Sequence, residues 1–157
     1  MWDYPRPPVV EPSDAHVVVV LGTTVVADTR RALRVLETSH PPTYYLPRSD
    51  VDDGALRGVD GDPATWCEFK GRARYLDVVG VGPDGGAVVA PRSAWTYPEP
   101  TPSFRALAGH VALYPGRMTR CTVDGEVVQA QSGDFYGGWR TARVVGPFKG
   151  EAGTGGW

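Results

Sequence analysis

The chain has little of several things that would announce a chemistry. Cysteine occurs twice in 157 residues, at Cys67 and Cys121, and histidine three times, at His16, His40 and His110. Two thiols cannot make a tetrahedral thiolate zinc site, and the scattered histidines add no ligand spacing, so no metal and no cofactor are expected. The formal net charge is only −2. That argues against a nucleic-acid partner, whose backbone calls for clustered positive charge. The longest apolar run, Val17 to Leu21, is far too short to span a bilayer, so no membrane partner is expected. No basic segment followed by an apolar core opens the chain, so no signal peptide is visible. A cytoplasmic protein with reduced thiols is the expectation, one Cys67–Cys121 disulfide being the other arrangement.

Glycine and proline are plentiful, at 20 and 15 residues, so turns and extended arms take much of the chain. Hydrophobic residues make up 41% and charged residues 22%, a globular balance that can bury one core. Two phrases recur. Trp2-Asp3-Tyr4-Pro5-Arg6-Pro7 returns as Trp95-Thr96-Tyr97-Pro98-Glu99-Pro100, and Phe69-Lys70-Gly71 returns as Phe148-Lys149-Gly150. Each copy of the first sets two large amphipathic rings beside prolines that hold the backbone extended.

Residues 1–15 read as an N-terminal arm, 16–130 as the domain, and 131–157 as a Gly- and aromatic-rich C-terminal arm packed on it. The β-branched runs of His16 to Asp28 predict a hairpin around Gly22-Thr23-Thr24. Ala32, Leu33, Val35 and Leu36 follow one-face helical spacing after Thr29, which predicts a short helix over 29–37. Residues 43–46 read as a strand, and 48–63 as a turn-rich loop with at most one helical turn. Alternation predicts strand within 66–79, short strands over 87–90 and 94–97, and a strand over 110–114. Ser103 to Gly109 predicts a two-turn helix. Asp124-Gly125 is the best hairpin signal in the chain. The absence of regular βαβ alternation makes the sheets antiparallel.

Glu37-Thr38-Ser39-His40-Pro41-Pro42-Thr43-Tyr44-Tyr45-Leu46-Pro47, Thr65-Trp66-Cys67-Glu68-Phe69-Lys70-Gly71, Ala94-Trp95-Thr96-Tyr97-Pro98 and Gly109-His110-Val111-Ala112-Leu113-Tyr114-Pro115 occur in this order. In these phrases the chain resembles the bacterial domain-of-unknown-function family four-two-seven. The resemblance implies a mainly β, β-tent-like fold: two antiparallel sheets meeting at an angle, here with two short helices. Many β-tent proteins hold a structural zinc through paired CxxC motifs, which this chain lacks. The family sometimes carries a nucleotidyltransferase label. The chain has no Gly-Ser step followed by an Asp-x-Asp metal pair; Asp50-x-Asp52 and Asp60-x-Asp62 both sit in the turn-rich loop, where they read as turn formers.

The candidate site residues each carry two readings. Cys67 and His40 make a nucleophile and its base if the fold joins them; otherwise they are a small core residue and a turn residue. Lys70, beside Gly71, offers an ammonium to a ligand or is a solvated turn lysine. Glu37 and Glu68 are carboxylate partners or solvated loop residues. Tyr45, Trp95, Tyr97 and Tyr114 line a stacking site or fill the angle between the sheets. Arg30, Arg31 and Arg34, with Arg72 and Arg74, form an anion site or solvated faces paired with acids. The leading expectation is a domain that binds a small polar or aromatic molecule through Tyr45, Cys67, Lys70, Trp95, Tyr97 and Tyr114, with Glu37 and His40 at the rim. An enzyme using Cys67, His40 and Lys70 is one rival. A homodimeric protein-interaction module using the aromatic arms is another.

Overall fold

A computed structural model describes residues 9–37, 40–59, 70–130 and 138–141, and the backbone course of 65–67. In chain order the strands are β1 (Val9–Pro12), β2 (Val17–Leu21), β3 (Thr24–Thr29), β4 (Leu33–Leu36), β5 (Thr43–Pro47), β6 (Leu56–Gly58), β7 (Thr65–Cys67), β8 (Gly71–Val81), β9 (Ala87–Thr96), β10 (His110–Leu113), β11 (Arg120–Val123), β12 (Glu126–Val127), β13 (Gln129–Ala130) and β14 (Trp139–Arg140). The protein is thus mainly β. Its larger sheet runs β1-β4-β5-β10-β9-β8-β6, with β7 also paired to β8; a four-stranded sheet runs β12-β11-β2-β3; β13 and β14 pair separately. Each of these strand pairs is antiparallel. Among the described residues no helix is long and apolar enough to cross a membrane.

The β2–β3 hairpin forms where the sequence places it. Val17, Val19 and Leu21 are buried while Val18 and Val20 are half-buried, the period of two that a half-covered strand needs. The β11–β12 hairpin turns on Asp124 and Gly125, both at positive φ (49° and 81°), the backbone that an Asp-Gly step accommodates. Gly22 (φ 64°) lets the first hairpin cross the end of β8, since a Cβ there would meet the Val81 carbonyl oxygen at 2.3 Å.

Both expected helices are corrected. Residues 33–36 form β4, held between β1 and β5. Val35 and Leu36 are both buried, so a strand covered on both faces imitates the apolar spacing of a helix. Thr29 does not cap a helix; its hydroxyl donates to Asp50 and accepts the Arg31 N–H. The second helix is a 3-10 segment, Pro102–Leu107, kinked at Phe104 (φ −117°, ψ 20°), too short to propagate as α-helix. The described part of the 48–63 segment, 48–59, holds two 3-10 turns, Arg48–Asp50 and Asp53–Ala55, and also β6, a strand too short for alternation to reveal. The two short strands expected over 87–90 and 94–97 are one strand, β9, whose pairing to β8 shifts register between Leu76 and Val78.

Strand register gives the large sheet two different faces. Leu33 faces Tyr45, Ala112 faces Trp95, and Trp95 faces Tyr75; the β5–β10 pairing of Leu46 with Val111 places Tyr45 beside Ala112. This row crosses five strands, and its side chains fall in one cluster with Val35, Ala73, Tyr97, Phe104, Leu107 and Tyr114. One residue along, Tyr44, Leu113 and Ala94 point the other way. There they join Val17, Val19, Val26, Cys121 and Val123 of the four-stranded sheet in an aliphatic core that also holds Trp139.

Candidate functional site

Tyr45 and Trp95 alternate into the aromatic face, Tyr97 continues β9 just past its end, and Tyr114 does the same for β10. The Trp95 ring lies 4.6 Å from Tyr114 and meets Tyr45 edge-on at 6.3 Å; Tyr45 and Tyr97 are also 6.3 Å apart. These are ordinary aromatic-pair separations. The Trp95 indole N–H donates to the Tyr45 hydroxyl at 3.3 Å, so the buried polar atoms of the inner rings answer one another. Phe104 and Leu107 of the 3-10 segment belong to the same cluster.

The outer part of the face is more open and carries charge. Tyr75 and Tyr114 are half-buried and hydrogen-bonded to each other through their side chains. Burial, with Tyr75 beside it, pushes the Tyr114 phenol above its usual value. The Arg92 guanidinium lies over the Tyr75 ring at 4.8 Å, and that of Arg117 over Tyr114 at 4.4 Å. Arg117 Nη1 donates to the Arg92 carbonyl at 2.9 Å. Tyr75, Arg92 and Arg117 were not among the sequence candidates. Pro91, a poor fit to a strand interior, was the one visible sign of an irregularity there.

The other candidates divide between the two ends of the strands. Glu37 and His40 are half-buried in the β4–β5 connection, where the His40 N–H donates to the Glu37 carbonyl. Lys70 is half-buried immediately before β8. Its carbonyl accepts the Thr101 N–H, and Cys67 pairs opposite Gly71. The Cys67 side chain and Glu68 lie outside the described residues, as do Trp2, Tyr4, Asp60, Asp62 and Lys149. Thr43 is two residues from the Tyr45 row on one side. Gly71 is four residues from it on the other, because β8 runs opposite to β5. At ~3.3 Å per residue the two ends are about 20 Å apart along the strands. Glu37 and His40 therefore share an end with Tyr114, while Lys70 shares the other with Tyr97 and Ala73.

A separate open cleft of about 760 Å³ is lined by Pro12 to Ala15, Arg30 to Arg34, Tyr44 and Asp124. Its arginines are largely answered. Arg31 pairs with Asp50 at 2.8 Å and Arg34 with Glu11, and Asp14 and Asp124 add negative charge to the wall. Asp50 is held below the usual carboxylate range by hydrogen bonds from Arg31 and Thr29. For Arg31 and Arg34 the paired reading is the one the geometry supports. Cys121 is a free thiol in the aliphatic core, pushed up to about 12 by burial, and so is inert at neutral pH. Among the described residues no three His, Cys, Asp or Glu side chains gather as metal ligands.

A family model described as Domain of unknown function (DUF427), and labelled an NTP transferase, matches residues 9–124. No curated protein matches the chain. The matched stretch runs from β1 to the β11–β12 turn, and so takes in the aromatic row and both layers of the core. The chain belongs to the DUF427 family.

Proposed function

We propose that this is a cytoplasmic, β-tent-like small-molecule-binding domain whose ligand docks on the aromatic face of the large sheet. The observation that carries the reading is the convergence of Tyr45, Trp95, Tyr97 and Tyr114 into one cluster, with Tyr75 and Tyr114 half-exposed at its outer side. Rings with few convergent polar groups are how small-molecule sites are usually built. In this reading Tyr114 and Tyr75 stack on the ligand, and Trp95, Tyr45 and Tyr97 set their positions from beneath. Glu37 and His40 are assigned to the rim near Tyr114, and Lys70 to the far end near Tyr97. The 20 Å between those ends gives no support to an enzyme that joins His40 to Cys67 and Lys70. Residues 1–15 and 131–157 are read as arms on the 16–130 domain, in keeping with the β1–β4 pairing and the burial of Trp139.

A thermal-shift screen of small aromatic and heteroaromatic compounds tests the proposal. Compounds that raise the Tm of the native protein should fail to raise that of Tyr114→Ala. Equal shifts in both proteins would contradict the assigned face.

A further inference from the structure

The four-stranded sheet has its inner face in the aliphatic core, yet its outer face is apolar as well. Strand register fixes which side chains share that outer face. Val127, Thr122, Val18 and Asp28 form one row across β12, β11, β2 and β3, and Arg120, Val20 and Val25 form the next. Val127 and Val25, at 59% and 52%, are the two most exposed large hydrophobic residues among those described, and both stand here. An antiparallel sheet with one wet face normally alternates apolar and polar side chains. Threonine suits a strand as valine does, and Thr122 fills one of these positions, so strand propensity alone does not call for valine at 18, 20, 25 and 127. Two charges border the valines. Arg120 on β11 and Asp28 on β3 lie diagonally across β2. Among the described residues no ion pair or hydrogen bond holds the Arg120 side chain. One Asp28 oxygen meets His16 Nε2 at 2.7 Å, and the Asp28 side chain stays 61% exposed. An exposed apolar patch rimmed by polar residues marks an interaction surface.

We propose that this outer face is a dimer interface and that its partner is a second copy of this chain. A patch with an apolar centre and one charge of each sign is self-complementary. A two-fold axis lying in the interface, midway between Arg120 and Asp28, sets each copy's Arg120 against the other copy's Asp28, so the ion pair forms twice. The valines of the two copies then pack between sheets about 10 Å apart. Edge-to-edge pairing is the other common route to a β dimer. Here β3 already has its edge engaged, since Ala27 bridges Val51 and the Val26 carbonyl accepts the Asp52 N–H, and β12 is only two residues long. Four strands about 4.8 Å apart and about five residues long span roughly 300 Å², so the pair buries less than the ~1,200 Å² of a permanent complex and exchanges reversibly. The interface lies across the aliphatic core from the aromatic face and leaves that face open.

The test is sedimentation equilibrium of the full chain, native and charge-reversed, at low salt. The native mass should climb from monomer toward dimer between about 5 and about 500 µM, the range a small reversible interface calls for. Arg120→Asp and Asp28→Arg each bring like charges together twice, so each should weaken self-association by about tenfold or more. Both positions are exposed, so the Tm of each variant should stay near the native one. An equal mixture of the two variants should associate at least as well as the native protein, because every Asp then faces an Arg. A residue that merely supports the fold would not produce that recovery. A native chain that stays monomeric over the whole range would overturn the proposal and leave the face to a different partner. Native-like association of either variant alone, or a mixture no better than its components, would also overturn it.

Discussion

Among the described residues the large sheet has Trp139 buried on one face and Trp95 on the other, and the two rings are in different company. Trp139 is fully buried in the aliphatic core, beside Tyr44 at 5.1 Å, and its indole N–H donates to the Leu113 carbonyl. Trp95 is almost as buried, at 7% exposure, but its indole N–H goes to a tyrosine hydroxyl, and its neighbour Tyr114 is half-open under an arginine. Burial alone does not distinguish them. What differs is closure. A second sheet seals the Trp139 side with Val17, Val19, Val26 and Val123. On the Trp95 side, among the described residues, the cluster members outside the strands are Tyr97, Tyr114, and Phe104 and Leu107 of a 3-10 segment, and Arg92 and Arg117 lie over its outer rings. A sealed face can only stabilise; an unsealed face of rings and fixed charges can also receive a ligand.

The largest effect separating the faces should come from Leu46→Ala, at a fully buried position on the sealed side. The cavity should cost about 3 kcal/mol, roughly 10 °C in Tm, by calorimetry. Tyr114→Ala, half-buried on the other face, should cost clearly less. Equal losses would erase the distinction.

Tyr45→Phe should come next. It removes the acceptor of the Trp95 indole N–H in a buried setting, for about 1–2 kcal/mol in denaturant titration. A neutral result would mean that water replaces the hydroxyl and that the inner rings are wetter than described.

The Cys121 thiol reports on the sealed face alone. Iodoacetamide labelling of Cys121 at pH 8, followed by peptide mass, should be slow in the native protein, faster in Leu46→Ala, and unchanged in Tyr114→Ala. Fast native labelling would contradict its burial.

The smallest effect concerns acid. Asp77 is held below the ordinary carboxylate range, first by the Arg92 N–H and then by Arg57. A depressed folded value means that its contribution is present above the unfolded value of about 4 and is lost as pH falls through the folded one. Asp77→Asn should therefore lose less stability than the native protein between about pH 5 and pH 2. Identical acid profiles would mean that Asp77 does not hold the β8–β9 register slip.

Much of this arrangement is legible in the chain. Alternation in the phrases around Tyr45, Trp95 and Tyr114 sets these rings apart from Tyr44, Leu113 and Ala94, and the Asp124-Gly125 turn needs no tertiary information. The rest was hidden for physical reasons. Residues 33–36 are covered on both faces, so their apolar spacing imitates a helix. The order β5-β10-β9-β8 is not the chain order, so nothing local could reveal that His40 and Lys70 lie at opposite ends of the strands. Arg92, Arg117 and Tyr75 meet only because register slips at Asp77, and a slip shows only when both strands are seen together.

Of the five indole N–H signals, those of Trp95 and Trp139 give the most direct test that one face receives and the other only supports. In a 1H–15N spectrum assigned through Trp95→Phe and Trp139→Phe, titration with an aromatic compound that raises the Tm of the native protein should move the Trp95 indole and leave the Trp139 indole in place. Movement of Trp139 alone, equal movement of both, or movement of neither would contradict the account.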